Sequence, residues 1–246
     1  MDKVLVVSNY NWNLEWIKNF VITYGFSQNN IIIFNKGNDN LDWSHIGKVI
    51  ESPNVGANPQ DILQFIVDNY NNLPDMSIFI KGNVLFSDKG ENYYTTIDRF
   101  IKLLHSDTFF SAWVDMQLLN NDYRHLEHTK REILEDGRLV QPISHCDFGS
   151  NPNVRSRYFS NHHDLLDWCF INPPKTDTIE FIPSSNISLP KKNILKYSKN
   201  LYKKLLSIVS WEPERSPNNH NLCAEAYLLE RIFYLMWSQD LQEKTI

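Results

Sequence analysis

Three apolar runs in the first third of the chain each end in residues that can bind a phosphorylated or hydroxyl-rich ligand. These residues carry hydroxyl, amide, aromatic or ammonium groups, and they are Ser8, Asn9, Tyr10, Asn35, Lys36, Lys81 and Asn83. If the runs are strands of one sheet, their ends lie at one edge, which is where open α/β sheets bind ligands. We therefore predict a nucleotide-type site there, with Tyr10 stacked on the base and Asn35 hydrogen bonded to it. The alternative is ordinary turn chemistry, because asparagine is a favoured turn residue.

Two arginines in a later polar stretch, Arg155 and Arg157, are further candidates for binding phosphate. A planar guanidinium group matches phosphate oxygens with parallel hydrogen bonds, and the ammonium group of Lys81 offers a compact positive charge. Solvated surface cations are the alternative interpretation of all three residues. The sequence leaves both interpretations open.

Two carboxylates stand where a proton acceptor or a hydroxyl contact is expected. Glu225 opens a strongly apolar C-terminal helix, and the helix dipole favours the anionic form that a general base needs. Asp115 follows an apolar run and is placed to contact a substrate hydroxyl. The alternatives are dipole compensation for Glu225 and a turn position for Asp115. The neighbouring Glu230 and Arg231 are better explained as an ion pair that fixes the helix.

Possible metal ligands gather in a polar stretch of the second half. They are His125, His128, His145, Cys146, Asp147, His162, His163 and Asp164. Histidine, cysteine and carboxylate groups bind zinc or iron, so a metal-dependent hydrolase using residues 125–164 is a second class of function. The spacing matches no known metal-binding motif, and polar histidines in a loop are usually exposed.

Strand-like and helix-like segments alternate along the chain, which predicts an α/β fold with a mostly parallel central sheet flanked by helices. Asn58 is predicted to cap a helix that begins at Pro59 and ends before Pro74. We expect a single domain over 1–246, with a nucleotide-binding half at 1–115, an acceptor half at 116–246, and a long irregular insertion at 115–164. The predicted strands are 3–8, 31–34, 48–51, 76–80, 109–114 and 179–182, and the other predicted helices are 12–24, 95–105, 165–170, 190–209 and 221–239.

The composition fits an ordinary globular protein. Hydrophobic residues make up 42% and aromatic residues 13% of 246 residues, and the net charge of −5 disfavours nucleic acid as a partner. No apolar run is long enough to span a bilayer, and the N-terminus lacks the apolar core of a signal peptide. Three widely separated cysteines favour reduced thiols. We therefore expect a cytoplasmic protein that is able to rest on a membrane surface.

Short motifs recur at the predicted strand ends and helix starts. They are Tyr10-Asn11 with Leu14 and Trp16, Phe34-Asn35-Lys36-Gly37, Pro53-Asn54-Val55-Gly56, Tyr70-Asn71-Asn72-Leu73-Pro74, Phe79-Ile80-Lys81-Gly82-Asn83 and Leu229-Glu230-Arg231-Ile232-Phe233. In this order they resemble a widespread family of unknown function that is distantly related to glycosyltransferases of the GT-A fold. The stretch 181–202, which contains Ser185-Asn186-Ile187-Ser188-Leu189-Pro190, resembles the acceptor-side segment of such enzymes. The resemblance covers roughly the first ninety and last seventy residues.

The resemblance implies a GT-A-like (Rossmann-like) fold and a glycosyltransferase of polysaccharide or glycan biosynthesis. Such an enzyme moves a sugar from a nucleotide-sugar donor to a glycan acceptor, and its base often lies on a late helix, as Glu225 does. The third class is a non-catalytic protein that binds nucleotide sugars or glycans.

Two departures from the family pattern bear on metal binding. Ala57 and Asn58 stand where members tend to have Arg and Glu, and Lys81-Gly82-Asn83 stands where they tend to have Gln-Gly-Asp. Acidic residues commonly hold Mn²⁺ or Mg²⁺ at that position in GT-A enzymes, and the nearest carboxylate here is Asp88. Metal-dependent transfer and metal-independent transfer, with Lys81 supplying the positive charge, both stay open.

Overall fold

The structure is a computed structural model that describes residues 1–37, 41–87, 90–91, 95–112, 132–133, 139–142, 154–155, 157–182, 185–211 and 222–244. The strands are β1 (Lys3–Asn9), β2 (Ile31–Asn35), β3 (Lys48–Glu51), β4 (Met76–Lys81), β5 (Phe86–Ser87), β6 (Gly90–Glu91), β7 (Phe110–Ser111), β8 (Glu132–Ile133), β9 (Leu139–Pro142), β10 (Val154–Arg155), β11 (Thr178–Phe181), β12 (Ile187–Pro190) and β13 (Leu222–Cys223). The helices are α1 (Glu15–Phe20), α2 (Ala57–Asn69), α3 (Ile97–His105), α4 (His162–Cys169), α5 (Lys191–Ile194), α6 (Lys199–Val209) and α7 (Ala224–Ser238).

Six strands form the central sheet, in the order β3-β2-β1-β4-β12-β7. The first four run parallel, whereas β12 is antiparallel to both of its neighbours. The protein is therefore an α/β protein whose mixed, mostly parallel sheet is flanked by helices, and this part of the prediction is confirmed. The chain winds outward from β1 to β2 and β3, and then resumes at β4 on the other side of β1. The winding thus reverses between β1 and β4.

Alternating side chains of the parallel strands pack against helices on both faces of the sheet. Leu5 and Val7 of β1 pack in the layer that contains α1 and α3, whereas Val6 packs in the layer of α2, α6 and α7. All three are at least 99% buried, and burying a side chain of this kind contributes about 1.5–3 kcal/mol. Because both faces are covered, these strands are continuous apolar runs, which is why the sequence predicts them.

Strand β12 is not predicted by the sequence, which instead favours a segment leading into one helix over 190–209. Ile187 and Leu189 are fully buried among the side chains of the layer that contains α2, α6 and α7. Ser188, between them, donates a hydrogen bond to the backbone oxygen of Thr108 at 2.7 Å. A four-residue segment has too little pattern of its own, so its pairing with β4 and β7 decides its conformation.

The single helix predicted over 190–209 is two helices, α5 and α6. Tyr197 is buried between them, and its hydroxyl donates to the backbone oxygen of Met236 at 2.7 Å. Ser198 then caps α6, because its hydroxyl accepts a hydrogen bond from the backbone N–H of Leu201 at 3.1 Å. The chain therefore breaks where a buried tyrosine and a capping serine meet.

Two helix starts also differ from the prediction. Helix α2 begins at Ala57 after Gly56, and not at Pro59 after Asn58. The side chain of Gln60 accepts a hydrogen bond from the backbone N–H of Gly56 at 2.9 Å, which satisfies the N–H of the residue that precedes the helix. Helix α1 starts only at Glu15 and gives way to a 3-10 turn. The predicted stop at Gly25 is confirmed, with a left-handed φ of 91°.

Smaller sheets extend the fold beside α7. Strands β8, β9 and β11 form an antiparallel sheet, and β11 packs on α7. Strand β10 pairs with β13, which continues directly into α7. Most of the predicted irregular insertion at 115–164 lies outside the described residues. Among the described helices, none is both long enough and apolar enough to cross a membrane.

Candidate functional site

The ends of β1, β2 and β4 meet at one edge of the sheet. The side-chain amide of Asn9 donates to the side-chain oxygen of Asn35 at 3.5 Å. The backbone N–H of Gly82 donates to the backbone oxygen of Ser8 at 2.9 Å. Ser8 pairs with Lys81 across the parallel β1–β4 ladder. The winding reverses between these two strands, and this is the position at which open α/β sheets bind ligands. We call Ser8, Asn9, Asn35, Lys81 and Asn186 (described below) the polar edge.

Glycine is required at position 82 because β1 and the loop after β4 approach closely. A Cβ atom on Gly82 would lie 2.4 Å from the side-chain oxygen of Asn9. The indole of Trp16 donates to the backbone oxygen of Gly82 at 2.9 Å and fixes the loop from the other side. The polar edge is therefore held by packing of the chain's own backbone.

Lys36 uses its charge inside the protein. Its ammonium group lies 3.1 Å from the carboxylate of Asp61 on α2 and donates to the backbone oxygen of Ala57 at 2.8 Å. Burial raises the pKa of Asp61, although the positive charge of Lys36 and hydrogen bonds from Ser8 and Ser52 oppose the increase. Lys36, which was predicted to bind the nucleotide-sugar donor, thus joins the end of β2 to the start of α2.

Lys81 is the cation at the polar edge. Its side chain is half-buried, on the same face of the sheet as Ser8, and the carboxylate of Glu230 on α7 is the nearby opposite charge. The pKa of Lys81 is lowered by burial, although the negative charge of Glu230 opposes the decrease. The site therefore combines one lysine and one glutamate that come from distant parts of the chain. The sequence predicts instead that Glu230 pairs with Arg231.

Asn186 completes the polar edge, with Ser185 beside it; both residues directly precede the antiparallel strand β12. The side-chain oxygen of Asn186 accepts from the backbone N–H of Lys81 at 2.9 Å. Both side chains are at least 98% buried, and neither the amide nitrogen of Asn186 nor the hydroxyl of Ser185 has a hydrogen-bond partner among the described residues. Ser185 also has a left-handed φ of 52°. Neither residue was predicted from the sequence to belong to the site, since β12 itself was not predicted.

Tyr10 and Asn83 are the remaining residues at this edge that were predicted to bind the nucleotide-sugar donor. Tyr10 is 49% exposed immediately after β1, as a residue that stacks on a ligand must be. Asn83 is buried in the turn after β4. The structure thus brings the candidates from the first third of the chain to one place.

Glu225 lies in a second cluster, at the start of α7. One carboxylate oxygen accepts from the backbone N–H groups of Arg157 and Tyr158 at 2.7 and 2.8 Å. The other accepts from the indole of Trp211 at 3.2 Å and the thiol of Cys223 at 3.0 Å. Burial alone would raise the pKa of Glu225, but these hydrogen bonds outweigh it and the pKa is lowered. This environment suits an anchoring carboxylate better than a general base, which must take up a proton.

The two arginines lie beside this cluster. Arg155 is in β10, which pairs with β13. Arg157 is exposed, and its guanidinium lies 5.5 Å from the ring centre of Tyr158 and 5.9 Å from that of Trp211. The contacts of Arg157 are therefore with aromatic rings and the Glu225 segment.

The predicted histidine cluster is only partly within the described residues. His162, His163 and Asp164 form the first turn of α4, and His162 is almost completely buried, contrary to the expectation of exposed loop histidines. Within the part of the chain that the structure describes, no group of three or more His, Cys, Asp or Glu side chains could hold a metal ion. The other candidates lie outside the described residues: Asp88, Asp115, His125, His128, His145, Cys146 and Asp147.

Comparisons of the chain with protein-family models, with curated protein sequences and with solved structures find no match in any of the three. The resemblance to GT-A glycosyltransferases therefore stays a prediction.

Proposed function

We propose that the chain is a glycosyltransferase-type protein with a GT-A-like fold, which binds a nucleotide-sugar donor at the polar edge and transfers the sugar to a glycan or polysaccharide. One observation carries the proposal. Ser8 and Lys81 are paired at the edge where the winding of the sheet reverses, Asn35 ends the neighbouring strand at the same edge, and exposed Tyr10 follows β1 there. This arrangement offers a ring for the base, an amide for hydrogen bonding and a cation for the diphosphate.

Lys81 has the central role in this proposal. Breaking the bond between sugar and nucleotide leaves negative charge on the diphosphate, which a cation or aligned N–H groups must stabilise. Lys81 supplies that charge, and the nearby carboxylate of Glu230 balances it in the absence of donor. Transfer with Mn²⁺ or Mg²⁺ as a further positive charge and transfer without a metal both stay open, and measurements with and without Mn²⁺ distinguish them.

A specific observation favours a second candidate, a protein that binds a nucleotide sugar without turnover. Glu225, the predicted base, has both carboxylate oxygens engaged by hydrogen-bond donors and a lowered pKa. A carboxylate held in this way is poorly suited to accept a proton from an acceptor hydroxyl.

Thermal-shift measurements with nucleoside diphosphates and nucleotide sugars, with and without Mn²⁺, test donor binding. A ligand at 100 times its Kd stabilises by about 2.7 kcal/mol, which corresponds to several degrees in Tm for a chain of this size. We expect Lys81→Met to remove most of this shift and Lys203→Met, an exposed lysine on α6, to retain it. If no nucleotide raises the Tm of the wild-type protein, the proposal is wrong.

Turnover separates the two candidates once a ligand is known. Release of nucleoside diphosphate that depends on an added glycan indicates a transferase. Binding of the donor without release in any glycan indicates the binding protein.

A further inference from the structure

An open groove of about 560 Å³ lies beside α4. Its walls include the aromatic rings of Tyr158, Phe159 and Trp168 and the charged side chains of Asp164, Asp167 and Lys244. We call it the aromatic groove. Its volume falls in the range of about 300–1,000 Å³ that is usual for small-ligand sites, and its mixture of rings and a few polar groups is also usual there.

The three rings form a continuous surface. The ring centres of Tyr158 and Phe159 are 6.4 Å apart, and those of Phe159 and Trp168 are 5.4 Å apart. Tyr158 is 48% exposed, although an aromatic ring is normally more stable when it is covered. The surface is therefore available to a ligand that offers an apolar face.

Two different parts of the chain hold the groove in shape. Asp164, Asp167 and Trp168 are spaced three and four residues apart, so they lie on one face of α4. Tyr158 belongs to the segment whose backbone N–H groups are bound by buried Glu225. A site fixed before binding loses less conformational freedom when the ligand arrives.

The charges of the groove nearly cancel. Asp167 forms an ion pair with Lys175, and the ammonium group of Lys244 donates to the backbone oxygen of Asp167. With Asp164 and the guanidinium of Arg157, which lies 5.5 Å from the ring centre of Tyr158, this gives two carboxylates and three cations around the rings. Neither a strong anion nor a strong cation is favoured by such a balance.

We propose that the aromatic groove binds a neutral oligosaccharide. A sugar ring has an apolar C–H face that stacks on aromatic side chains and hydroxyl groups around its rim. The hydroxyls donate hydrogen bonds to Asp164 and Asp167 and accept one from Lys244. This inference rests on the proposed function only in naming the saccharide as the acceptor, because its binding requires neither donor nor metal.

The test measures tryptophan fluorescence and saturation-transfer NMR during titration with neutral cello-, malto- and N-acetylglucosamine oligosaccharides. Polygalacturonate and an oligo-arginine peptide serve as anionic and cationic probes. We expect a neutral oligosaccharide to bind, and Trp168→Ala and Tyr158→Ala to weaken it about tenfold or more, a loss equivalent to 1.4 kcal/mol or more. Tyr24→Ala, a half-buried tyrosine in the α1–α3 layer, is the control and should bind as the wild type does.

Absence of binding by every neutral oligosaccharide, preference for a charged probe, or equal binding by the groove variants and the control overturns the proposal. Because Trp168 is half-buried, Asp164→Asn provides a second variant at an exposed position, and it should weaken binding without lowering Tm. Nucleotide stabilisation is measured on the same samples. Loss of saccharide binding with nucleotide binding retained removes the groove assignment alone, and the reverse result removes the donor site alone.

Discussion

The buried carboxylate of Glu225 accepts a hydrogen bond from the backbone N–H of Tyr158 at 2.8 Å, across 67 positions of sequence. Glu225 thereby joins the start of α7 to the segment that carries two rings of the aromatic groove. This contact changes what substitution of Glu225 should do.

Glu225→Gln should destabilise the protein by about 1.5–3 kcal/mol, because an amide nitrogen would face hydrogen-bond donors that now bind the buried carboxylate. Urea unfolding measures the change. Glu15→Gln, at an exposed glutamate paired with His45, should cost at most about 1 kcal/mol and is the control. If Glu225→Gln retains wild-type stability and loses only turnover, the anchoring role is wrong and the predicted role of general base is supported.

Lys36→Met should cost about 3–5 kcal/mol, since it leaves the buried carboxylate of Asp61 without its cation. The pKa of Asp61 is already raised by burial, so the folded variant should hold a proton there that the unfolded chain has released. Its stability should therefore fall as pH increases above the unfolded pKa of Asp61, until the carboxyl also ionises in the folded state. Urea unfolding at pH 5 and pH 8 measures this.

The double variant Lys36→Met with Asp61→Leu is the control for that experiment. It should recover most of the loss because no charge stays buried alone. A double variant as unstable as the sum of both single variants would show that the pair is not coupled.

Gly82→Ala should separate the ends of β1 and β4, because its Cβ would lie 2.4 Å from the side-chain oxygen of Asn9. Overpacking of this kind costs about 1–3 kcal/mol. We expect lower stability and a smaller nucleotide-dependent Tm shift. Adding Asn9→Ala removes the clashing atom, so the second substitution should be less harmful in the Gly82→Ala background than in the wild type. Simple additivity of the two effects would contradict the close approach.

Acid should destabilise the fold through His162. Burial, His163 and Arg231 lower the pKa of His162 to about 4, with Asp164 acting in the opposite direction. Between pH 6.5 and 4 the unfolded chain binds a proton that the folded chain excludes. The free energy of unfolding therefore decreases by roughly 3 kcal/mol in total as the pH is lowered through this range. His162→Phe should remove this part of the pH dependence, measured by urea unfolding, whereas exposed His45→Gln should keep it. An unchanged slope in His162→Phe would mean that His162 is protonated in the folded protein.

Sequence alone determined the parallel core of the fold. β1, β2 and β4 are continuous apolar runs because both faces of the sheet are covered there, and such runs are visible without any tertiary information. The carboxyl ends of parallel strands also share one edge, which is why the sequence could place Ser8, Asn35 and Lys81 together.

Only the tertiary structure decided which polar groups meet and what each one does. Lys36 is bound to Asp61, Asn186 meets Lys81 across 105 positions, and Glu225 holds the segment of Tyr158. Strand β12 likewise depends on its neighbours, because four residues have too weak a preference of their own. Residue type and spacing identify a group that can bind or react, but burial and partners distant in sequence decide whether its charge faces a ligand or holds the protein together.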